Sequence, residues 1–298
     1  MDMKFKYILT ALILTASLTF PLGNLFSQDT VGMAEWVQII EKIGNNGSVN
    51  WSAGYIEAVG IGAPPEKAMG KPQARPMALR AAEQVAKRNL LEITKGVRID
   101  STTVVRDFTV ESDIINSQVE GFIKGALIVK QDYMSDGTVE VTVRMPLFGN
   151  FSQAIMPRIL DKKPGSAPPV KPPAAPPAKT PPAPAAVYTG LVVDARGIQT
   201  RPAMAPKILD ENGQEVYGSM SVDREFAVQQ GMSGYARDLT AAQNNGRVTN
   251  NPFTVKGLKT QGTGRSDIVI SNADAAALKA AAENMAFMKK CRVMIVLD

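Results

Sequence analysis

The longest helical pattern of the chain is PMALRAAEQVAKRNLLEITKG, residues 76–96, and it decides how the first half folds. Proline stands near the first turn and glycine follows the last residue, which is the usual punctuation of a helix. Apolar and small side chains recur every three or four residues, so one face of this helix should be buried. The members of that face are Leu79, Ala82, Val85, Ala86, Leu90 and Ile93. The many alanines should let the helix lie close against a sheet.

Three cationic side chains, Arg80, Lys87 and Arg88, lie off this apolar stripe. They belong either to a solvated helix face or to a basic patch that contacts a partner. We keep them as speculative interaction residues.

A strand pattern, VNWSAGYIEAVGIG at residues 49–62, precedes the helix. Gly60 and Gly62 permit bulges or a close approach of another backbone. The Gly-Ile-Gly sequence also resembles half of a phosphate-binding fingerprint. The third glycine is missing, and Ala63-Pro64-Pro65 stands where a helix should begin, which disfavours a nucleotide site.

The rest of residues 30–160 alternates between helical and strand patterns. Asp136-Gly137 is a strong hairpin signal between two confident strands. One face of the second strand is apolar and the other is polar, so one side of the sheet should be buried. The predicted elements are a helix over 34–43, a β-rich stretch over 97–110, a short helix or a helical turn over 111–125, strands over 126–134 and 138–147, and a helix over 148–160.

Residues 49–147 resemble a known family in three stretches. These are GYIEAVGIGAPP, the helix and following β-rich residues ARPMALRAAEQVAKRNLLEITKGVRIDSTTVV, and VEGFIKGALIVKQDYMSDGTVEVTVRMPL. They are similar to the LPP-twenty lipoprotein family of bacterial envelopes, which itself resembles the N-terminal domain of flagellar assembly protein T. The resemblance implies one antiparallel sheet with helices on one face, and assembly rather than catalysis. It implies no catalytic residues. The family's lipid-attachment cysteine is missing here, so no lipid anchor is expected.

A proline- and alanine-rich tract, residues 164–186, carries ten of the chain's 20 prolines. Proline fixes φ and donates no hydrogen bond, so the tract should run as extended polyproline II. At about 3.1 Å per residue it would hold its ends roughly 65 Å apart. We therefore expect two separate folding units with a spacer between them.

Residues 187–298 predict a second α+β domain. A strand over 187–195 is followed by a hairpin whose Asn212-Gly213 turn has the type I′ signature. Asp194, Asp210 and Glu211 are too few for a cation loop, so turn chemistry is the better interpretation. A capped helix over 273–289 leads to CRVMIVLD, residues 291–298, whose nearly continuous apolar character predicts a strand buried on both faces in a strand–helix–strand unit.

The segment 221–251 is the least regular part of this second domain, with a predicted helix only at 224–230. We expect its glycine- and asparagine-rich remainder to be a mobile surface loop. If the domain binds anything, Tyr235, Arg237 and Arg247 in this loop are the speculative interaction residues.

The N-terminus predicts an exported protein. Lys4 and Lys6 precede an apolar run over 7–22, which is typical of a signal peptide cut after Ser27 or retained as an anchor. The chain has no histidine, so Ser-His-Asp and Cys-His catalysis are excluded, and no GxSxG elbow marks a hydrolase. Cys291 lies in an apolar run and has no partner cysteine. The mild, dispersed charge of +5 disfavours a nucleic-acid surface.

These observations predict an α+β protein of two small domains, each a mainly antiparallel sheet with packed helices, joined by an extended proline-rich linker. The predicted ranges are a signal peptide over 1–27, an LPP-twenty-like domain over 30–160, a linker over 161–186 and a second domain over 187–298. We expect no catalytic, cofactor or metal site.

The leading functional expectation is a non-enzymatic periplasmic or outer-membrane-associated structural or interaction protein, with envelope or flagellar proteins as partners. Peripheral membrane association and homo-oligomerisation stay open. The alternative is a soluble periplasmic ligand-binding protein with its site in the second domain.

Overall fold

The computed structural model describes residues 38–160, 187–280 and 282–298. We call residues 38–160 the N-terminal region and residues 187–298 the C-terminal region. Each region combines helices with its own sheets, so the predicted α+β fold is confirmed. The signal peptide and the proline-rich tract lie outside the described residues.

The N-terminal region is built on one five-stranded antiparallel sheet with the strand order β1-β2-β3-β5-β4. One face of the sheet carries the core, because alternate residues of β5 and of β3 are buried. The hairpin signal at Asp136-Gly137 is confirmed, since β4 and β5 flank it. The elements are β1 Ile40–Lys42, β2 Gly47–Asn50, β3 Tyr55–Gly62, α1 Ala74–Lys95, α2 Val105–Glu111, α3 Asp113–Lys124, β4 Leu127–Tyr133, β5 Val139–Pro146 and α4 Asn150–Leu160.

Helix α1 lies directly on β3, and two glycines make this possible. A Cβ atom placed on Gly60 would lie 2.2 Å from the backbone nitrogen of Ala86. One placed on Gly62 would lie 2.3 Å from the carbonyl oxygen of Ala78. Both distances are far inside van der Waals contact, so the glycines serve the close approach of a helix, as the alanine-rich face of α1 indicates.

The C-terminal region holds two four-stranded sheets. The strands β10, β6, β13 and β9 are all parallel, whereas the order β11-β12-β7-β8 mixes parallel and antiparallel pairs. The elements are β6 Gly190–Asp194, β7 Ile208–Leu209, β8 Glu215–Tyr217, α5 Arg224–Gln230, β9 Gly234–Ala236, α6 Leu239–Gln243, β10 Pro252–Lys256, β11 Lys259–Gln261, β12 Asp267–Val269, α7 Asn272–Lys279, α8 Ala282–Lys289 and β13 Val293–Val296.

The expectation of a mainly antiparallel second domain is therefore wrong for the sheet β10-β6-β13-β9, in which every strand pair is parallel. Strand β13 is fully buried between β6 and β9, as its continuous apolar sequence predicts. Strands covered on both faces are typical of parallel sheets, which explains the uninterrupted apolar run. The strands at the two ends of the predicted strand–helix–strand unit, β12 and β13, belong to different sheets.

Three local predictions are also wrong. A helix is predicted over 34–43, but the described residues at its end form strand β1. The stretch 97–110, predicted to be β-rich, ends in helix α2. At Asn212-Gly213 only the glycine has positive φ, so the turn is not type I′. Asp210 instead accepts hydrogen bonds from the backbone nitrogens of Asn212 and Gln214, and this side chain sets the turn.

Candidate interaction site

Backbone hydrogen bonds join the two regions. We call these bonds, together with the side chains around them, the junction. The nitrogens of Met204 and Ala205 donate to the carbonyl oxygens of Arg98 and Ile99 at 3.0 and 2.7 Å. Gly149 nitrogen donates to Val228 oxygen at 2.8 Å. One hydrophobic cluster contains buried residues of both regions, and both belong to one compact unit. The regions therefore share a core.

Glu41 is the central acceptor of the junction. Its carboxylate accepts hydrogen bonds from the Trp51 indole at 3.0 Å, from the Arg201 guanidinium at 3.1 Å and from the Arg98 guanidinium. Burial is the largest influence and by itself would raise the pKa of Glu41, but the hydrogen bonds from Arg98, Trp51 and Arg201 and the charge of Arg98 together outweigh it, so the pKa is lowered. Arg98 also donates to the carbonyl oxygen of Pro202 at 2.9 Å, which ties the network to the C-terminal region.

Tyr235 is buried on the C-terminal side of the junction. Its hydroxyl donates to the Ala203 oxygen at 2.7 Å and accepts from the Ala203 nitrogen at 3.0 Å. Its ring packs edge-on against Trp51 with 5.9 Å between ring centroids, and Ser52 Oγ donates to its carbonyl oxygen at 2.7 Å. Burial raises the pKa of Tyr235 to about 12, so its hydroxyl keeps its proton at physiological pH.

A buried carboxylate forms a further contact of the junction. Ser101 Oγ donates to Asp267 Oδ2 at 2.7 Å, and the Lys207 nitrogen donates to Asp267 Oδ1 at 3.3 Å. Burial raises the pKa of Asp267, although the Ser101 hydrogen bond opposes it. The carbonyl oxygen of Ser101 also accepts a hydrogen bond from the Gly264 nitrogen at 2.6 Å. Each of these bonds links residues more than 50 positions apart in the sequence.

The expectation of two separate folding units is corrected by the junction. Domains held roughly 65 Å apart by a stiff strut could not share a hydrophobic cluster or these hydrogen bonds. The tract 164–186 itself lies outside the described residues, so its predicted extended conformation stays a prediction. The physical reason for the error is that proline content describes a segment locally, whereas docking depends on the surfaces on either side of it.

The predicted basic residues of α1 do not act as a set. Arg80 and Arg88 are exposed. Lys87 is half-buried, forms an ion pair with Glu83 at 2.7 Å and donates to the Lys124 oxygen at 2.9 Å. Lys87 therefore connects α1 to the end of α3, and the two arginines remain on the solvated face.

The predicted mobile loop is largely ordered structure. It contains β9 and α6, and only Arg237 of its three speculative interaction residues is exposed. The Arg247 guanidinium donates to the carbonyl oxygens of Cys291 at 2.8 Å, Gly231 at 3.1 Å and Gln230. Burial lowers the pKa of Arg247. Tyr235 and Arg247 therefore have structural roles, and the loop prediction is wrong because its small polar residues form turns between short packed elements.

The acidic residues Asp194, Asp210 and Glu211 do not form one site. Asp210 sets its turn, and Glu211 accepts from the Asn272 nitrogen at 2.9 Å, which supports turn chemistry. Asp194 lies at the carboxyl end of β6, where Arg196 donates to both of its oxygens at 2.8 and 3.0 Å. This hydrogen bonding lowers the pKa of Asp194 to about 2. Across the described residues, no group of three or more Cys, Asp or Glu is placed to hold a metal ion.

The most suitable surface for a partner is a groove in the N-terminal region, which we call the aromatic groove. It has a volume of about 290 Å³ and lies between the end of α3, the start of β4, the end of β5 and the start of α4. Phe122 and Phe151 meet edge-on there, with 6.3 Å between ring centroids, and Leu127 is 68% exposed. Its lining residues are Gly121, Phe122, Gly125, Ala126, Leu127, Arg144, Met145, Pro146, Phe148, Asn150 and Phe151.

Arg144 gives this apolar groove a charged rim. Its guanidinium lies 3.9 Å from the centroid of the Tyr55 ring and pairs with Glu57 at 2.6 Å. These contacts hold the side chain in one place beside the aromatic lining. The sequence predicts these helices and strands separately but not the groove, because it forms where four elements, α3, β4, β5 and α4, meet in space.

Comparison with known families finds a similarity in the C-terminal region. Residues 190–298 match the family model described as Treponema pallidum Tp0624, second domain. The match begins at Gly190, the first residue of β6. No curated protein matches the chain. In the described part of the chain, no helix is both long enough and apolar enough to cross a bilayer.

Proposed function

We propose that this protein is a non-enzymatic, exported interaction protein of the cell envelope, in which both regions act as one rigid body that presents the aromatic groove to a partner. The observation that carries this proposal is the junction. Its buried polar side chains are used to hold the two regions together, which favours an architectural role.

The placement of the perturbed ionisable groups supports this proposal over an enzyme. Strongly shifted pKa values usually gather in clefts where chemistry takes place. Among the buried groups with shifted pKa values, Glu41, Asp267 and Tyr235 bond across or beside the junction. Arg247, Tyr217 and Cys291 lie inside the C-terminal region. The aromatic groove contains none of these six side chains.

The proposed partner is an envelope or flagellar protein. The resemblance of residues 49–147 to the LPP-twenty family and the export-type N-terminus both support this class. The match of residues 190–298 adds that a similar domain occurs as the second domain of a Treponema protein. A rigid body with an apolar groove suits the docking of a protein segment, because aromatic side chains contribute most to such interfaces.

Gly121 allows a direct test of the groove. It lies on the exposed side of α3 and lines the groove, and a Cβ atom there meets nothing within 4 Å. A photo-reactive residue at this position should crosslink to the same envelope protein in repeated preparations from the native cell. Gly246 is the matched control, since it is also exposed and open to a side chain but lies in the C-terminal region.

A blocking variant completes the test. Gly121→Trp should fill the groove and abolish recovery of the crosslinked partner in pull-downs, whereas Gly246→Trp should leave recovery unchanged. Equal recovery with both variants would overturn the assigned groove. A small molecule retained by the purified chain, with no protein crosslinked, would instead favour a periplasmic ligand-binding protein.

A further inference from the structure

The edge strand β4 carries a sequence that is complementary to itself in the antiparallel direction. Its burial pattern shows exposed residues along nearly its whole length, and it is the last strand of the five-stranded sheet. Val129 and Tyr133 are 43% and 50% exposed. An unpaired strand edge is a template for another strand, and proteins usually protect it with lysine or a bulge.

The backbone geometry shows which groups face outward. Met134 nitrogen donates to Thr138 oxygen at 2.9 Å, so this pair is hydrogen-bonded within the hairpin. Hydrogen-bonded pairs alternate along an antiparallel ladder, which assigns Lys130 and Asp132 to the pairs bonded to β5. The backbone groups of Gln131 and Tyr133 therefore point away from the sheet, toward a strand added at the edge.

We propose that β4 pairs with β4 of a second copy of this chain, about a twofold axis at Gln131. In this register Lys130 lies opposite Asp132 of the second copy, and Asp132 lies opposite its Lys130. Val129 lies opposite Tyr133 of the second copy, so the exposed apolar side chains also meet. The interface is a continuous sheet across two copies, independent of the partner groove.

Charge selects this register over its neighbours. An axis at Lys130 would place two lysines opposite each other, and an axis at Asp132 would place two aspartates opposite each other, both of which are unfavourable. Lys130 and Asp132 already pair at 2.6 Å within one copy, so they lie on the same face of the strand. A twofold axis at Gln131 adds two attractive pairs between the copies, each between Lys130 of one copy and Asp132 of the other.

The bulge at Val129 limits the length of the pairing. The register between β4 and β5 shifts between Ile128 and Lys130, which bends the strand there. The added strand therefore spans about five residues, and a short interface of this kind is typical of weak, reversible association. We expect a monomer–dimer equilibrium that shifts with concentration.

Charge reversal tests the proposal in purified chain of full mature length. Lys130→Asp and Asp132→Lys should each weaken self-association at least about tenfold in sedimentation equilibrium, because each places like charges opposite one another twice. An equimolar mixture of the two variants should restore the dimer, since every pair is then opposite in charge. Thermal melting of each variant, unchanged from the natural chain, shows that folding is retained.

A crosslink tests the register itself. Gln131→Cys should form an intermolecular disulfide under mild oxidation, because residues of a hydrogen-bonded antiparallel pair lie about 5.5 Å apart at Cα. Tyr133→Cys is the matched control and should not crosslink, since its counterpart in the second copy is four residues along the strand. Cys291 is buried and does not compete. A natural chain that stays monomeric, reversed variants that still dimerise, a mixture that does not recover the dimer, or crosslinking at residue 133 would overturn the proposal.

Discussion

Replacing Gly60 with alanine should destabilise the protein through a single added methyl group. The new Cβ would lie 2.2 Å from Ala86 nitrogen and 2.4 Å from Ala82 oxygen, although ordinary contact begins near 3.4 Å. Both atoms are backbone, so no side chain can rotate away. Helix α1 would have to move by roughly 1 Å, and overpacking of this kind costs about 1–3 kcal/mol and occasionally more.

The position of Gly60 puts the expected loss near the upper end of that range. The displaced helix packs Ala78, Leu90 and Ile93 into the core, so their contacts would loosen together. A loss of about 3 kcal/mol corresponds to a decrease in Tm of roughly 6–12 °C for a protein of this size. Thermal unfolding followed by circular dichroism, with the urea midpoint as a second measurement, gives this number.

Gly121→Ala is the matched control for the same chemical change. Gly121 lies inside α3 with open space at its Cβ position. Alanine is the better helix former there, so this variant should gain about 0.5–1 kcal/mol. If Gly60→Ala melted at or above the temperature of Gly121→Ala, close packing of α1 against β3 could not be the role of Gly60.

Three further predictions test the junction and the charged end of β6. Tyr235→Phe should lower the free energy of unfolding, measured by urea titration, by about 1–3 kcal/mol, because it leaves buried backbone groups unpaired. The control Tyr133→Phe, at an exposed position, should change it by less than about 0.5 kcal/mol. Equal effects of the two variants would contradict the role of the Tyr235 hydroxyl at the junction. Asp194 has its pKa lowered to about 2 by Arg196, so its contribution, on the order of 1 kcal/mol, is present above about pH 4 and lost as the pH falls through 2; the difference in urea midpoint between the natural chain and Asp194→Asn should shrink from pH 6 to pH 3, and a constant difference would refute this. A protease site inserted in the tract 164–186 should leave both regions together on size exclusion after cutting, and separate elution would disprove a stable junction.

Local sequence patterns correctly predict those helices and strands whose own residues show a clear periodicity or turn sequence. The α1 pattern gives four residues of its buried face, Ala82, Ala86, Leu90 and Ile93, and its end at Gly96, and the Asp-Gly hairpin gives β4 and β5. The uninterrupted apolar run at the chain's end gives β13 as a strand buried on both faces. Each of these depends on residues within a few positions of one another, so periodicity and turn chemistry are sufficient.

Short elements whose conformation depends on distant partners were predicted incorrectly. The apolar pattern over 34–43 predicts a helix at Glu41, yet Glu41 lies in β1, where it accepts hydrogen bonds from Arg98 and Arg201. The composition of 221–251 predicts a mobile loop around Tyr235, yet Ser52, which is 183 positions away, donates a hydrogen bond to the Tyr235 carbonyl oxygen. No window of sequence contains both members of such pairs.

The sequence alone determined the α+β class, the close approach of α1 to a glycine-containing strand and the exclusion of histidine chemistry. Only the tertiary structure decided that the two regions share a core, that Tyr235 and Arg247 are structural, and that four separate elements form the aromatic groove. The physical reason is that helix and strand formation follow from local spacing of side chains. Docking depends instead on complementary surfaces, whose residues lie far apart in the chain and meet only after each region has folded.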